Sequence, residues 1–229
     1  MGVTVIDLSH PIHDGMPGYP GLPGPRVGLH LSHAESRSRY DDRAEFAIGR
    51  LELVGNTGTY LDSPFHRDPD GPDVSRLPLD RLVELPTLVL DAREAAAGGR
   101  DLDLALPDPE RLVGTAVLVR TDWDRRWGRE DYWEPGPFLG GELVARLVAA
   151  RPAVVGVDFW NVDDTADPTR PAHTHLLRAG IVVVEHLCHL ADLPAGATTS
   201  FVPLAVQGAP SLPIRAFAVA RSPAVTSDG

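Results

Sequence analysis

The sequence predicts one domain of the α/β class, with a mixed sheet and few helices. Several apolar runs are nearly continuous in Val, Ile and Leu, as expected of strands buried on both faces. The order strand–helix–strand between residues 115 and 158 favours an α/β unit. Together the runs that predict strands are VTVIDL, EFAIGRLELV, TLVLDA, TAVLVRT, AVVGVDF, IVVVEHL and RAFAVA.

Helical patterns are fewer than strand patterns. The clearest is GGELVARLVAAR, with apolar residues at 143, 144, 147 and 148 and Pro152 just beyond its end. LPDPERLVG is a shorter candidate. The 22 Pro and 22 Gly residues concentrate at 11–25, 64–78 and 134–141, which predicts loops there, the usual place for a functional site.

Length and composition favour one ordinary globular domain over residues 1–229, with a core from about 5 to 220. The chain has 229 residues, 43% of them hydrophobic and 23% charged. The net charge is −11 and the 21 basic residues are scattered arginines, so nucleic acid is not expected as a partner.

Location is predicted from what the N-terminus and the apolar runs lack. The first residues have no signal-peptide pattern, and no apolar run reaches the length of a membrane span, so we expect a cytoplasmic protein with no membrane partner. The lone Cys188 fits a reducing compartment, and its apolar surroundings favour a buried small side chain over a nucleophile.

Residues 55–66, GNTGTYLDSPFH, carry the first candidate site. Glycines, Pro64 and β-branched threonines oppose a helix, and an extended chain would project Asn56, Tyr60, Asp62 and His66 to one side. Pro64 is expected to end the strand and redirect His66. The alternative is a solvated strand face followed by a turn.

A second candidate site lies in the segment DFWNVDDTADPTRPAHTHLLRAGIVVVEHLCHL. His173 and His175 follow a Pro/Asp loop, and Glu185 stands at the C-terminal end of a predicted buried strand, where α/β sites tend to lie. An unpaired buried carboxylate is costly, so Glu185 should have a metal, a catalytic partner or an arginine beside it. Arg178 is one candidate for the last of these.

These motifs, in this order, resemble the cyclase family, which groups bacterial kynurenine formamidase with isatin hydrolase. The resemblance runs from Asp7 to about Ala220 and rests on the following segments: DLSHPIHDGMPGYPG, NTGTYLDSPFHR, VLVRTDW, GVDFWNVD, AHTHLL, VVVEHL and FVPLAVQGAPSLPIRAFA. It implies a swivelling β/β/α-type fold, assembly into homodimers or homotetramers, and divalent-metal-dependent hydrolysis of amide or lactam bonds in small, often aromatic molecules.

The family's first-strand signature resembles His-x-Gly-Thr-His-x-Asp-x-Pro-x-His. Asn56 and Tyr60 stand here in place of its two ligand histidines, whereas Asp62 and His66 match it. His173 and Glu185 match ligands of the second metal in the binuclear formamidases. Because neither an amide nor a phenol replaces imidazole for Zn²⁺ without a large loss of affinity, we expect one metal, Zn²⁺ or Mn²⁺, and no organic cofactor.

The resulting hypothesis is a hydrolase with Asp62, His173 and Glu185 as metal ligands, His66 as general acid and base, and Tyr60 as a donor to the developing oxyanion. Asp62 also counts as catalytic, because it can orient His66. One alternative is a metal-independent dehydratase, isomerase or cyclase that uses His66, Tyr60 and Glu185. Another is a non-catalytic small-molecule binder.

Aromatic side chains are expected around the small-molecule substrate. Tyr19 resembles an aromatic residue that the family places near the pocket, from the same or a neighbouring subunit. The residues assigned to substrate binding are Tyr19, Phe65, Trp123, Trp160 and Asn56. The identity of the substrate is left open.

Overall fold

A computed structural model describes residues 2–221 as a mixed α/β fold. Its strands are β1 (Val3–Asp7), β2 (Arg26–Leu31), β3 (Ile48–Glu52), β4 (Tyr60–Asp62), β5 (Leu85–Asp91), β6 (Asp101–Leu102), β7 (Ala116–Arg120), β8 (Phe138–Leu139), β9 (Val154–Val157), β10 (Val182–Glu185), β11 (Thr198–Ser200), β12 (Ser211–Pro213) and β13 (Phe217–Arg221). Its helices are α1 (His33–Arg39), α2 (Arg93–Gly98), α3 (Gly141–Ala150) and α4 (Pro171–Arg178).

Nine of the strands form one sheet in the order β1-β13-β11-β5-β7-β9-β10-β4-β12. The four central strands β5, β7, β9 and β10 are parallel, and the strands on both flanks pair antiparallel. Strand β4 lies between β10 and β12, with Tyr60 opposite Glu185 and Asp62 opposite both Val183 and Ser211. This register brings the two candidate segments of the sequence together.

The parallel centre is buried on both faces. Val117 and Val119 of β7 pack with α3 and α4 on one face, whereas Leu118 packs on the other. Gly156 of β9 leaves room for this second layer, because a Cβ there would lie 2.6 Å from Leu187 Cδ1 and 2.7 Å from Leu118 Cδ2. Burial on both faces explains why these strands read as unbroken apolar runs.

The predicted fold class is confirmed, and each predicted strand run contains a strand. The predicted helix is α3, which ends where Arg151 takes a left-handed conformation (φ 52°) before Pro152. LPDPERLVG forms only a 3₁₀ turn at Pro109–Leu112. Among residues 2–221 no helix is long and apolar enough to cross a membrane.

Three helices were missed. Of these, α1 has a readable signal: Ser32 and Glu35 form a reciprocal capping box at its start. Helix α4 is less readable, because it has only eight residues and follows Arg170 in a left-handed conformation. It matters most, since it carries His173.

Candidate active site

The segment 55–66 is mostly turns. Only Tyr60–Asp62 form a strand, so the prediction of one extended segment is wrong beyond these residues. Gly58 bends the chain with φ 63° where a Cβ would lie 3.0 Å from Ile12 Cγ1. Pro64 opens a 3₁₀ turn that ends at His66, which confirms that Pro64 stops the strand and redirects His66. Turns as well as strand alternation therefore bring these side chains together.

Glu185 ends β10 and is fully buried. Its Oε1 accepts from the Val162 backbone N–H at 2.7 Å, and its Oε2 accepts the Tyr60 hydroxyl. Burial raises the pKa of Glu185 to about 7, against the opposing charge of His173. Arg178 is exposed on α4 and makes no ion pair within the described residues, so the arginine alternative for Glu185 is wrong.

His173 is held by Asp163. One Asp163 oxygen accepts the Ala172 backbone N–H at 2.6 Å, and the other lies 2.6 Å from His173 Nδ1. The opposite ring nitrogen, Nε2, lies 3.5 Å from Asp62 Oδ2 and 3.5 Å from Glu185 Oε1. Burial alone would lower the pKa of His173, but the charges and hydrogen bonds of the three carboxylates raise it to about 10.

Asp62 completes the cluster and is fully buried. The Ser211 hydroxyl donates to Oδ1, which also lies 3.5 Å from Asn56 Nδ2. Within residues 2–221, Oδ2 is buried without a hydrogen-bond partner, an arrangement that is costly for a carboxylate. Burial raises the pKa of Asp62, yet the nearby imidazoles of His173 and His66 and the Ser211 hydroxyl leave it below its usual value.

The cluster fits a divalent cation. Asp62, His173 and Glu185 each offer one ligand atom, and these atoms lie within 4.8 Å of one another. One imidazole nitrogen and two carboxylate oxygens are a ligand set that Zn²⁺ and Mn²⁺ both accept. The Asp62 Oδ2 atom without a partner and the contact of Asp163 with the far ring nitrogen of His173 are both typical of metal sites.

His66 lies beside this cluster, with its side chain 30% exposed. Its Nδ1 lies 3.3 Å from the Ser211 hydroxyl and 3.6 Å from Asp62 Oδ1. Burial lowers the pKa of His66 although Asp62 pulls in the opposite direction. The ring is therefore neutral at pH 7 and able to accept a proton.

A cavity of about 230 Å³ opens onto the cluster. Of the residues predicted from sequence it brings together Tyr19, Asn56, Tyr60, His66, His173 and Glu185, and it adds Leu22, Arg67, Asn161 and Arg170. Asn161 Nδ2 donates to the Tyr19 hydroxyl over 3.1 Å. The protein's own Tyr19 therefore reaches this cavity.

The remaining predicted substrate-binding residues lie behind or away from the lining. The Trp160 ring centroid lies 5.5 Å from that of Tyr19, so Trp160 supports the cavity wall from behind. Trp123 donates its indole N–H to the Tyr132 carbonyl and packs against Arg126. Phe65 is partly buried on the 3₁₀ turn and does not line the cavity. Cys188 is buried, as predicted, and burial raises the pKa of its thiol to about 12, which disfavours the thiolate.

Sequence reasoning missed Asp163, Ser211, Asn161 and both arginines of the lining. Ser211 is adjacent to Asp62 only through the pairing of β12 with β4, which no local pattern shows. Asp163 had a signal in the sequence. A ligand histidine commonly donates the N–H of its second ring nitrogen to a carboxylate, and three aspartates lie within ten residues before His173.

A mixed α/β fold with a buried carboxylate–imidazole–carboxylate cluster at the bottom of a small cavity defines an enzyme that acts on small molecules. The family model Cyclase ("Putative cyclase") matches residues 6–164. The chain belongs to this family, as its motifs predict.

Curated relatives and solved structures agree with this assignment. Kynurenine formamidase of Bacillus cereus is 29% identical over 215 residues, which cover 92% of this chain and 95% of that protein. Kynurenine formamidase of Erythrobacter litoralis is 30% identical over 197 residues, which cover 84% and 82%. The predicted activity class is confirmed: the chain is a cyclase-family hydrolase that acts on carbon–nitrogen bonds.

The fold has solved counterparts. Isatin hydrolase A from Labrenzia aggregata bound to benzyl benzoate superimposes with a TM-score of 0.80, at 24% identity, over 96% of this chain and 94% of that one. A structure described as a potential metal-dependent hydrolase with cyclase activity gives a TM-score of 0.75, at 23% identity, over 97% and 100%. At these identities the likeness establishes the fold.

Proposed function

We propose that this enzyme hydrolyses an amide, imide or lactam bond of a small aromatic molecule and depends on one bound Zn²⁺ or Mn²⁺ ion. The observation that carries the proposal is the convergence of Asp62, His173 and Glu185, with one buried oxygen of Asp62 left without a partner. The relatives are named for formamide and isatin hydrolysis, which supports an aromatic amide as substrate.

Asp62, His173 and Glu185 would hold the ion. When bound, it would supply a Lewis acid and lower the pKa of water toward neutrality. Asp163 fixes the ring of His173 through Nδ1, so that Nε2 faces the two carboxylates. Tyr60 and the Val162 backbone N–H fix Glu185 through separate oxygens.

His66 is the proposed general base and acid. It is neutral at pH 7, partly exposed to the cavity, and oriented by Asp62 and Ser211. It can accept a proton during nucleophilic attack and return it to the departing nitrogen. The leaving amine then departs neutral, which a carbon–nitrogen cleavage requires.

Asn56 and Tyr60 would take other parts than the ligand histidines of the family signature. The Tyr60 hydroxyl already donates to Glu185, so we assign it to positioning that carboxylate. The side-chain amide of Asn56 carries two N–H donors. Its Nδ2 contacts Asp62 Oδ1 at 3.5 Å, which uses only one of these donors. Asn56 lines the cavity, so we assign it the polarisation of the substrate carbonyl, a part that sequence analysis gave to Tyr60.

We also propose a homodimer or homotetramer. The β2–β3 ribbon stands apart from the main sheet, and its exposed Val27, Leu29 and Leu51 share one face, because Val27 pairs with Leu51. A cluster of exposed apolar side chains of this kind is typical of a protein–protein interface. The mass of the particle in solution, measured by light scattering, tests this proposal; a monomer would contradict it.

The test of the activity is a screen of formanilides, cyclic imides and lactams with protein purified without added metal, then treated with chelator and reloaded with Zn²⁺ or Mn²⁺. We expect hydrolysis that chelation abolishes and reloading restores. His66→Ala should lower kcat by about 10²–10⁴-fold. His175→Ala, on the exposed side of α4, should leave kcat unchanged.

Turnover that survives chelation but requires His66 would instead support the metal-independent acid–base enzyme. Binding of substrate analogues without any turnover would support the binding protein. Either result would refute the metal-dependent hydrolase.

A further inference from the structure

Two arginines, Arg67 and Arg170, line the cavity without an acidic partner. Within residues 2–221, neither guanidinium lies within 4.0 Å of a carboxylate oxygen. Most other arginines of the chain are ion-paired, Arg100 with Asp164 and Arg215 with Asp7 among them. The net charge of −11 makes acidic partners abundant. The other arginines without an ion pair among residues 2–221 are exposed, whereas Arg67 and Arg170 are half-buried, so this pair stands out.

Neutral groups hold both side chains in place. Arg67 donates from Nε and Nη2 to the Thr174 hydroxyl, at 3.2 and 2.9 Å, and from Nη2 to the Thr169 carbonyl at 3.0 Å. Arg170 donates from Nη1 to the Asp164 carbonyl at 3.3 Å. A guanidinium has five N–H donors, so each arginine keeps donors free beyond these contacts.

The two arginines reach the cavity from neighbouring positions, because the Arg67 guanidinium binds the carbonyl of Thr169, the residue before Arg170. Arg67 follows His66 directly in the chain, and Arg170 precedes α4, the helix of His173. Arg170 also acts on Tyr19: burial raises the pKa of the Tyr19 phenol, and the positive charge of Arg170 partly offsets the rise. Both residues line the same cavity.

A partly buried cation without a counter-ion is unfavourable unless a ligand supplies the opposite charge. Guanidinium groups match the planar, two-oxygen geometry of a carboxylate better than any other cationic side chain does. An apolar aromatic amide would leave both charges unsatisfied, whereas a carboxylated one would pair with them.

We propose that the substrate carries a carboxylate, which Arg67 and Arg170 bind while the scissile amide faces Asp62, His173 and Glu185. The enzyme is then an amide hydrolase of small carboxylated molecules, with Arg67 and Arg170 as its specificity-determining residues. This inference rests on the proposed hydrolase function and names the substrate class for it.

The experiment compares formanilide with its carboxylated forms 2-, 3- and 4-formamidobenzoate on the metal-loaded enzyme. At least one acid should exceed formanilide in kcat/KM by about tenfold or more, the value of one charge-assisted hydrogen bond. In Arg67→Gln and Arg170→Gln that ratio should fall by about tenfold, mainly through KM. Arg178→Gln, an exposed residue of α4 that does not line the cavity, is the matched control and should keep the ratio.

Calorimetric binding of benzoate and benzamide to the same four proteins separates this inference from the proposed function. Weaker benzoate binding in Arg67→Gln and Arg170→Gln, with Arg178→Gln unchanged, supports the carboxylate site even if no formanilide is hydrolysed. Equal turnover of formanilide and all three acids would overturn the inference. So would a preference for an acid, together with benzoate affinity, that both Arg67→Gln and Arg170→Gln retain. In the second case the carboxylate would be binding elsewhere, such as at the metal.

Discussion

His173 and His186 are both buried, yet their imidazoles have opposite charge preferences. They are 5% and 2% exposed, and both adjoin the end of β10: His173 Nε2 lies 3.5 Å from Glu185 Oε1, and His186 directly follows Glu185. The pKa of His173 is raised to about 10, whereas that of His186 is lowered to about 3. Similar burial thus gives opposite outcomes.

The neighbours make the difference. Burial is the main cause of the lowered pKa of His186. Its Nδ1 lies 2.7 Å from the Tyr132 hydroxyl, and the rings of Trp127 and Trp133 surround it. His173 faces three carboxylates, which outweigh its burial. Negative charge focused on one buried point is suited to a divalent cation, whereas the aromatic cluster is suited to a neutral structural ring.

The largest effect on activity should come from removing one of the carboxylates that surround His173. Glu185→Gln should abolish metal uptake and lower kcat by about 10³-fold, because several kcal/mol of charge stabilisation would be lost. Metal content and kcat measured on the same preparation check this. Glu142→Gln, an exposed residue of α3, is the control. Full activity with retained metal would remove Glu185 from the ligand set.

The bond from Asp163 to His173 should have a smaller effect. Asp163→Asn leaves the three ligands in place but weakens the carboxylate that orients the ring, so metal affinity should fall by about 10–100-fold. Competition against a chromophoric chelator measures it. Asp164→Asn, at the neighbouring position, should keep the affinity; equal loss in both variants would indicate a general disturbance of the loop.

The charge states themselves predict a pH dependence. The folded-state pKa of His186 lies below the usual 6.5, so its contribution to stability is complete above pH 6.5 and is lost as the pH falls toward 3. That of His173 in metal-free protein lies above 6.5, so its contribution is complete below pH 6.5 and is lost as the pH rises through about 10.

Histidine ring ¹⁵N chemical shifts of metal-free protein measure both states. At pH 8 His173 should be an imidazolium and at pH 5 His186 should be neutral. Added Zn²⁺ should release the proton of His173, because a metal ligand must be deprotonated. The same charge on both rings at either pH would contradict the comparison.

The smallest effect should come from a substitution beside the neutral ring of His186. Tyr132→Phe leaves the buried Nδ1 of His186 without its hydroxyl partner, which should lower the free energy of unfolding by about 1–3 kcal/mol. Metal content should not change, since His186 is no ligand. Urea unfolding measures the stability and metal analysis measures the metal content, with Tyr40→Phe at an exposed residue as the control. Loss of metal in Tyr132→Phe would show that the surroundings of His186 affect the metal site.

The two regions also differ in how far the sequence predicts them. The parallel strands are evident because burial on both faces leaves an apolar run, and Glu185 could be placed at the end of one from that run alone. Asp62, His66, His173 and Glu185 could be matched to family motifs one by one. Asp163 had only a general signal, as one of three aspartates before His173. Ser211 and Arg170 had none, because their parts depend on the pairing of β12 with β4 and on a left-handed turn before α4, which arise only from tertiary contacts.

The central claim is that Asp62, His173 and Glu185 hold one divalent ion. Its most direct test is the metal content, by inductively coupled plasma mass spectrometry, of untagged protein purified without added metal and again after soaking with Zn²⁺ or Mn²⁺. We expect about one Zn or Mn per chain, bound at a single site of three ligands with an open position. No metal after soaking would contradict the site, and two ions per chain would contradict the single-ion mechanism.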